Sequence, residues 1–171
     1  TALHTFTFAN AVHQALLRAP SWELTRGIFD AAMSVFLDRF LNIPVAQVRA
    51  AKEPGQPDAI IEALLSTLDR QQQIDPAAGL AAKYLETCSD AAPLIAALGH
   101  TLLREDRDFH TIQTVETAVR QYQARGPSPQ GSDILIAAWR YLAAHAPTAR
   151  AQGQTYRIAE RLHRGDRLFE E

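Results

Sequence analysis

Cysteine is nearly absent from this chain. Cys88 is the single one among 171 residues. No disulfide can close within the chain, and no Cys/His cluster exists for an iron–sulfur centre. Such usage fits a reducing compartment, and a cytoplasmic location is the expectation. Glycine is sparse and scattered, with 8 in all and no glycine-rich phosphate loop. GxSxG, HExxH, CxxC and the paired ExxH of di-iron bundles are all missing, which removes the commonest hydrolase, zinc and di-iron patterns. No apolar run approaches the roughly 20 residues that cross a bilayer, and no charged-then-apolar leader opens the chain. Charge of one sign is lacking too. The net value of −2 gives no pull towards nucleic acid or an anionic membrane.

What is present is helix-forming sequence. Hydrophobic residues make up 47% and charged ones 21%, the balance of a globular chain. Val, Ile and Thr do not alternate as in strands, whereas Ala and Leu dominate. The expectation is an all-α, bundle-like single domain over residues 1–171, with about seven helices, two of them long and central. The chain starts at Thr1 without Met, and a motif begins almost at once at His4. It therefore reads as the C-terminal part of a longer protein, with the missing part or another subunit as a partner.

The first helix is expected over Thr5 to Arg18, ended by Pro20. Phe6, Ala9, His13, Leu16 and Leu17 share one of its sides, and His4 and Phe8 the other. Ser21 is a good N-cap for a second helix reaching Asn42 and stopped by Pro44. Trp22, Phe29, Met33, Phe36 and Phe40 form a stripe on it, widened by Leu24, Ile28 and Val35. That breadth places the second helix centrally, where Phe36→Ala would cost about 3–5 kcal/mol. Ala51 to Asp58 is a loop. Asp58 opens a third helix to Gln72, and Asp75-Pro76 a fourth to Thr87. Ser89 and Asp90 cap a fifth, with Pro93 in its first turn. After the loop Arg125 to Ser132, a sixth helix spans Asp133 to His145. A seventh opens at Pro147 and reaches Arg164, and the tail GDRLFEE frays.

The stretch Leu94 to Tyr122 carries the function-like features. Read as one helix at about 100° per residue, it puts Leu94, Leu98, Leu102, Phe109, Ile112 and Val119 on a core stripe. Glu105 and Glu116 fall inside that stripe, where an unpaired carboxylate is costly. Asp106, His110, Gln113 and Thr117 form a second stripe at three- and four-residue spacings. Asp106 is placed to accept from one ring nitrogen of His110 and leave the other free. A solvated, ion-paired turn over Arg104 to Asp108 is the competing reading. Of six histidines, His13, His145 and His163 read as structural. Cys88, at a helix end with no sequence partner, reads as a buried thiol rather than a nucleophile.

HTFTFANAVHQALL resembles the H-x-[VF]-T segment and following Ala-rich helix of questin oxidase-like proteins. HTLLREDRDFHTIQTVETAVRQY resembles a later helix of that family, and similar segments occur in helical parts of some bacterial Rieske-type proteins. The two matches cover about a quarter of the chain. The resemblance implies a mostly helical enzyme that oxidises polyketide-derived aromatic rings with non-haem iron, held mainly by histidines plus a modified lysine. On that basis His4, His100 and His110 would be the metal ligands, with Gln113 at the lysine position. Gln113 cannot be carboxylated, and members of that family are considerably longer than this chain. His100 and His110, ten apart on one helix, would also be separated by about 15 Å along its axis.

Two functional expectations follow. One is a metal-dependent oxygenase, or its C-terminal half, acting on an apolar aromatic small molecule. Fe(II) would then sit on His4, His100 and His110, Asp106 and Glu105 would take the catalytic positions, and Gln113 and Glu116 would stand behind them. The other is a non-catalytic interaction or accessory domain of a larger redox protein, in which the same polar groups form a register-fixing network.

Overall fold

The computed structural model describes residues 2–41, 43, 47–48, 55–148 and 152–167, with 152–155 as backbone alone. It is all-helical, with eight helices and no strand among the described residues. They are α1 (Ala2–Arg18), α2 (Trp22–Asp38), α3 (Pro57–Thr67), α4 (Ile74–Thr87), α5 (Ala92–Arg104), α6 (Phe109–Arg125), α7 (Pro129–His145) and α8 (Gln152–His163). The extra helix arises because the expected Leu94–Tyr122 rod is two helices. α7 begins four residues before the expected Asp133, because Ser128 caps it and Pro129 occupies the first helical position. Pro147 and Thr148 lie outside any helix. The expected helix end at Asn42, the stop at Pro44, the first four residues of the Ala51–Asp58 loop and the tail after Arg167 lie outside the described residues.

The core is built on α4, α5 and α7. α4 lies along α7 most extensively, α7 also packs on α6, and α3 covers α4. The close approach of α4 and α7 follows from their small faces: Ala77, Ala78 and Ala81 on one, Ala138 and Ala143 on the other, all buried. Large side chains fill the space around that seam. Trp139, Tyr84, Leu64, Leu68, Leu94, Leu98 and Leu135 are fully buried. Burial of Tyr84 pushes its hydroxyl up to about 12, with the Cys88 thiol and nearby carboxylates adding to the effect. α5 is central as expected, with Leu94, Ala97, Leu98 and Thr101 buried. Cys88 caps α4, half-buried against this core, with its thiol 3.4 Å from the Asp90 carbonyl.

α1 packs on α6, and α2 packs on α1. The expectation that α2 is central is overturned: none of its residues is buried. Trp22 is 79% and Phe29 73% exposed, and Met33, Phe36 and Phe40 are exposed as well. The reason lies on its opposite side. Leu24, Gly27, Ala31, Ser34 and Asp38 recur at three- and four-residue spacing and, with Thr25, are the less exposed set. Gly27 comes so close to α1 that a Cβ there would stand 2.9 Å from Val12 Cγ2. Thr5 Oγ1 donates to Asp38 Oδ2 at 2.6 Å and fixes the other end of the pair. α2 thus meets α1 through its small residues and turns its large ones outward.

Two substitutions separate core from surface. Leu98→Ala is expected to cost about 2–5 kcal/mol by cavity formation, whereas Phe36→Ala in dilute solution costs about 0.5 kcal/mol or less. Chemical denaturation of both variants checks the contrast; equal losses would place the outer face of α2 in the core.

Candidate functional site: the α5–α6 break and the α1–α6 cleft

The rod breaks at Glu105. Arg104 ends α5, and Glu105 is extended (φ −85, ψ 159). α6 restarts under a capping box in which the Asp108 carboxylate accepts from the Thr111 N–H at 2.9 Å and Thr111 Oγ1 accepts from the Asp108 N–H at 3.0 Å. The break resets the helical phase. Phe109 and Ile112, expected in the core, are exposed, while Thr111, Thr114, Val115, Thr117, Ala118 and Gln121 face inward.

Glu105 is buried at 4% exposure, as its place on the apolar stripe suggested. Its Oε2 accepts from the Thr148 N–H at 2.7 Å and the Thr148 hydroxyl at 2.8 Å, and its Oε1 accepts from Arg104 Nε at 2.9 Å. Thr148 Oγ1 in turn accepts from the Asp106 N–H at 2.6 Å. Arg104 also donates to the Leu65 carbonyl at 3.1 Å and lies 3.4 Å from Asp69. One carboxylate thereby ties the α5 end to the segment after α7, and its arginine ties the same point to α3. Glu105, expected in a catalytic position, is held by these framework contacts.

The expected Asp106–His110 pair does not form, because it required an unbroken helix. Asp106 is exposed, and the carboxylate beside His110 is that of Asp108, 3.1 Å from Nδ1. The Thr111 N–H and then His110 hold the Asp108 carboxyl down at about 2. Asp106, Arg107, Asp108, Tyr141, His145 and Thr148 line a small cleft of about 250 Å³. Burial raises the Tyr141 hydroxyl there.

Of the three expected metal ligands, two meet. The rings of His4 and His110 lie 5.2 Å apart edge to face, and Phe109 stacks on His110 at 3.8 Å. His100 is exposed on α5. Among the described residues no three His, Cys, Asp or Glu side chains gather as a metal-binding group. Among the described residues, then, the trio of His4, His100 and His110 expected to hold Fe(II) is not brought together: His4 and His110 meet and His100 stands apart.

Between α1 and α6 runs a cleft of about 600 Å³. His4, Phe8 and Phe109 line it, as do Gln113 and Glu116, and Gln14 and Arg18 follow along α1. Its floor is a polar seam. Asn10, 6% exposed, donates to Glu116 Oε2 at 3.1 Å and Thr117 Oγ1 at 3.3 Å, and accepts from Gln121 Nε2 at 2.8 Å. Gln121 Nε2 also lies 3.0 Å from His13 Nδ1, and Gln121 Oε1 accepts from Arg125. Arg120 Nε donates to the other Glu116 oxygen at 3.1 Å. Glu116 and Gln113 thus share a cleft wall, with Glu116 ion-paired to Arg120 at the exposed edge of α6. The polar groups of the seam are paired chiefly with one another, across α1 and α6. Sequence reasoning missed Asp108 and Gln121. Asp108 carried a signal, a D-x-x-T spacing just before the apolar run of α6; Gln121, polar on a polar helix, carried none.

No family model, curated protein or solved structure matches the chain. No helix among the described residues is long and apolar enough to cross a membrane.

Thr148→Val is expected to cost about 1–3 kcal/mol, since it strips the hydroxyl donor from the buried Glu105 carboxylate and the acceptor from the Asp106 N–H while the backbone N–H of residue 148 stays; an unchanged melting temperature would remove Glu105 from the framework. Asp108 supplies an acid-side test. Its carboxyl is depressed from 3.8 to about 2 in the folded chain. It therefore adds stability above the ordinary value, and that stability is lost as pH falls through the depressed one. Asp108→Asn keeps a capping side chain but has no proton to gain. The variant melts lower than the parent at neutral pH, and the gap closes in strong acid; a gap that does not change with pH would refute the assignment.

Proposed function

We propose that this chain is a non-catalytic helical interaction domain: the α3–α7 bundle is a scaffold, and the α1–α2 pair mounted on α6 presents a binding face. One observation carries this reading, the row of exposed large apolar side chains along α2. A monomer's largest apolar patch is commonly about 300–600 Å². The aromatics of α2 and the turn after it, Trp22, Phe29, Phe36 and Phe40, supply on the order of 500 Å² at 150–250 Å² for a whole side chain. Met33, Val35, Leu37 and Leu41 are exposed beside them. The resemblance of two segments to questin oxidase-like proteins supports an accessory place beside a larger redox protein.

A second reading, the metal-dependent oxygenase or its C-terminal half, draws support from the His4–His110 contact. It requires further ligands from outside the described residues. Reconstitution with Fe(II) separates the two: the interaction domain retains no stoichiometric iron, whereas about one iron per chain, lost in both His4→Ala and His110→Ala, would favour the enzyme.

The binding-face reading is checked by Phe29→Glu with Phe36→Glu. In dilute solution, where the face of the single chain is open, the double variant is expected to keep its melting temperature to within a few degrees and to lose the hydrophobic-dye binding of the parent. An unfolded variant, or undiminished dye binding, would overturn it.

A further inference from the structure

Resting on the interaction-domain reading, we propose that the surface that covers α2 is a second copy of this chain, with the two α2 helices paired antiparallel about a two-fold axis. The outward residues set the geometry. Trp22, Arg26, Phe29, Met33 and Phe36 on α2, with Phe40 in the turn that follows it, are spaced by alternating steps of about four and three residues, the seam of a two-helix pair. All are exposed. The face opposite is already taken, since Gly27, Ala31 and Ser34 lie against α1.

The seam is self-complementary in one direction only. With the helices antiparallel and the axis near Ala31, Trp22 meets the partner's Phe40, Arg26 meets the partner's Phe36, and Phe29 meets the partner's Met33. These are an aromatic pair, a cation over a ring and a thioether against a ring, each favourable in that geometry. Parallel pairing would instead set Arg26 against the partner's Arg26 in a desolvated layer, a like-charge contact with no compensation. The rings of Phe36 and Phe40 already accept a guanidinium, that of Arg39, at 3.8 and 4.0 Å from their centroids. The antiparallel register has two like-charge contacts, Asp30 beside the partner's Asp30 and Arg26 near the partner's Arg39, which already lies over the Phe36 ring; Asp30 falls on the solvated rim, where charge contacts contribute little, and Arg26 and Arg39 can take opposite faces of that ring.

The size of the face agrees. The four aromatics with Met33 and Leu37, all more than half exposed, present an apolar area approaching the roughly 800 Å² per partner of a standard stable interface. A two-fold contact uses that patch twice and leaves none of it in water.

Sedimentation equilibrium of the 171-residue chain tests the proposal together with acrylamide quenching. Trp139 is fully buried and Trp22 is exposed in the single chain, so the accessible tryptophan signal reports on α2. A dimer is expected, with Trp22 becoming shielded as concentration rises. Phe29→Glu with Phe36→Glu should weaken the dimer a hundredfold or more while the helical signal is kept. Direction is read in a Cys88→Ser background by mixing Trp22→Cys with Phe40→Cys under mild oxidation. The antiparallel pair gives the mixed disulfide and little of either self-linked product. Self-linked Trp22→Cys would overturn the register. A chain that stays monomeric with Trp22 freely quenched would overturn self-pairing. If its charged double variant still loses dye binding, the interaction-domain reading survives with a different partner; if that variant unfolds, both fail.

Discussion

The arrangement of this bundle depends on one buried carboxylate. Glu105 stands where a helix would otherwise continue, and its oxygens accept from Thr148 and Arg104 at 2.7–2.9 Å. A buried charge is tolerated only when such donors surround it. These donors come from two places, its own α5 end and the segment after α7, so satisfying the charge draws those segments together. The chain between Glu105 and Asp108 then cannot be helical, and the Asp108–Thr111 capping box starts α6 in a new direction.

That new direction gives α1 its place. The inward face of α6 is rich in Thr and Gln rather than Leu, and α1 answers with Asn10 and His13. Hydrogen bonds of this kind contribute little net energy each, but any mismatch leaves a buried group unpaired, so they favour one register over its neighbours. α2 is carried outward on α1 by small residues. Gly27 permits the close approach, and the large apolar side chains face away from the rest of the chain. The scaffold and the face therefore have different chemistry: the scaffold side is small or polar, and the face is large, apolar and aromatic.

Helical content, the cap at Ser21, and the burial of Leu94, Leu98 and Glu105 follow from local rules. Periodicity, capping and the cost of an unpaired charge act over a few residues, so the sequence by itself determined an all-α chain with a buried stripe through Leu94 and Leu98 and a buried acid at Glu105. It did not determine which side of α2 is covered. An apolar stripe records that a surface avoids water, and a stripe awaiting a partner looks the same as one facing the core. Nor did it determine the break at Glu105. The helical phase of Leu94–Tyr122 reads smoothly until Thr148, 43 positions away, supplies the donors that make the extended conformation favourable. His4 and His110 meet, His100 stays apart, and Asp108 displaces Asp106 beside His110. These are consequences of that break, and only the tertiary structure decided them, because each depends on where distant segments pack rather than on spacing along one helix.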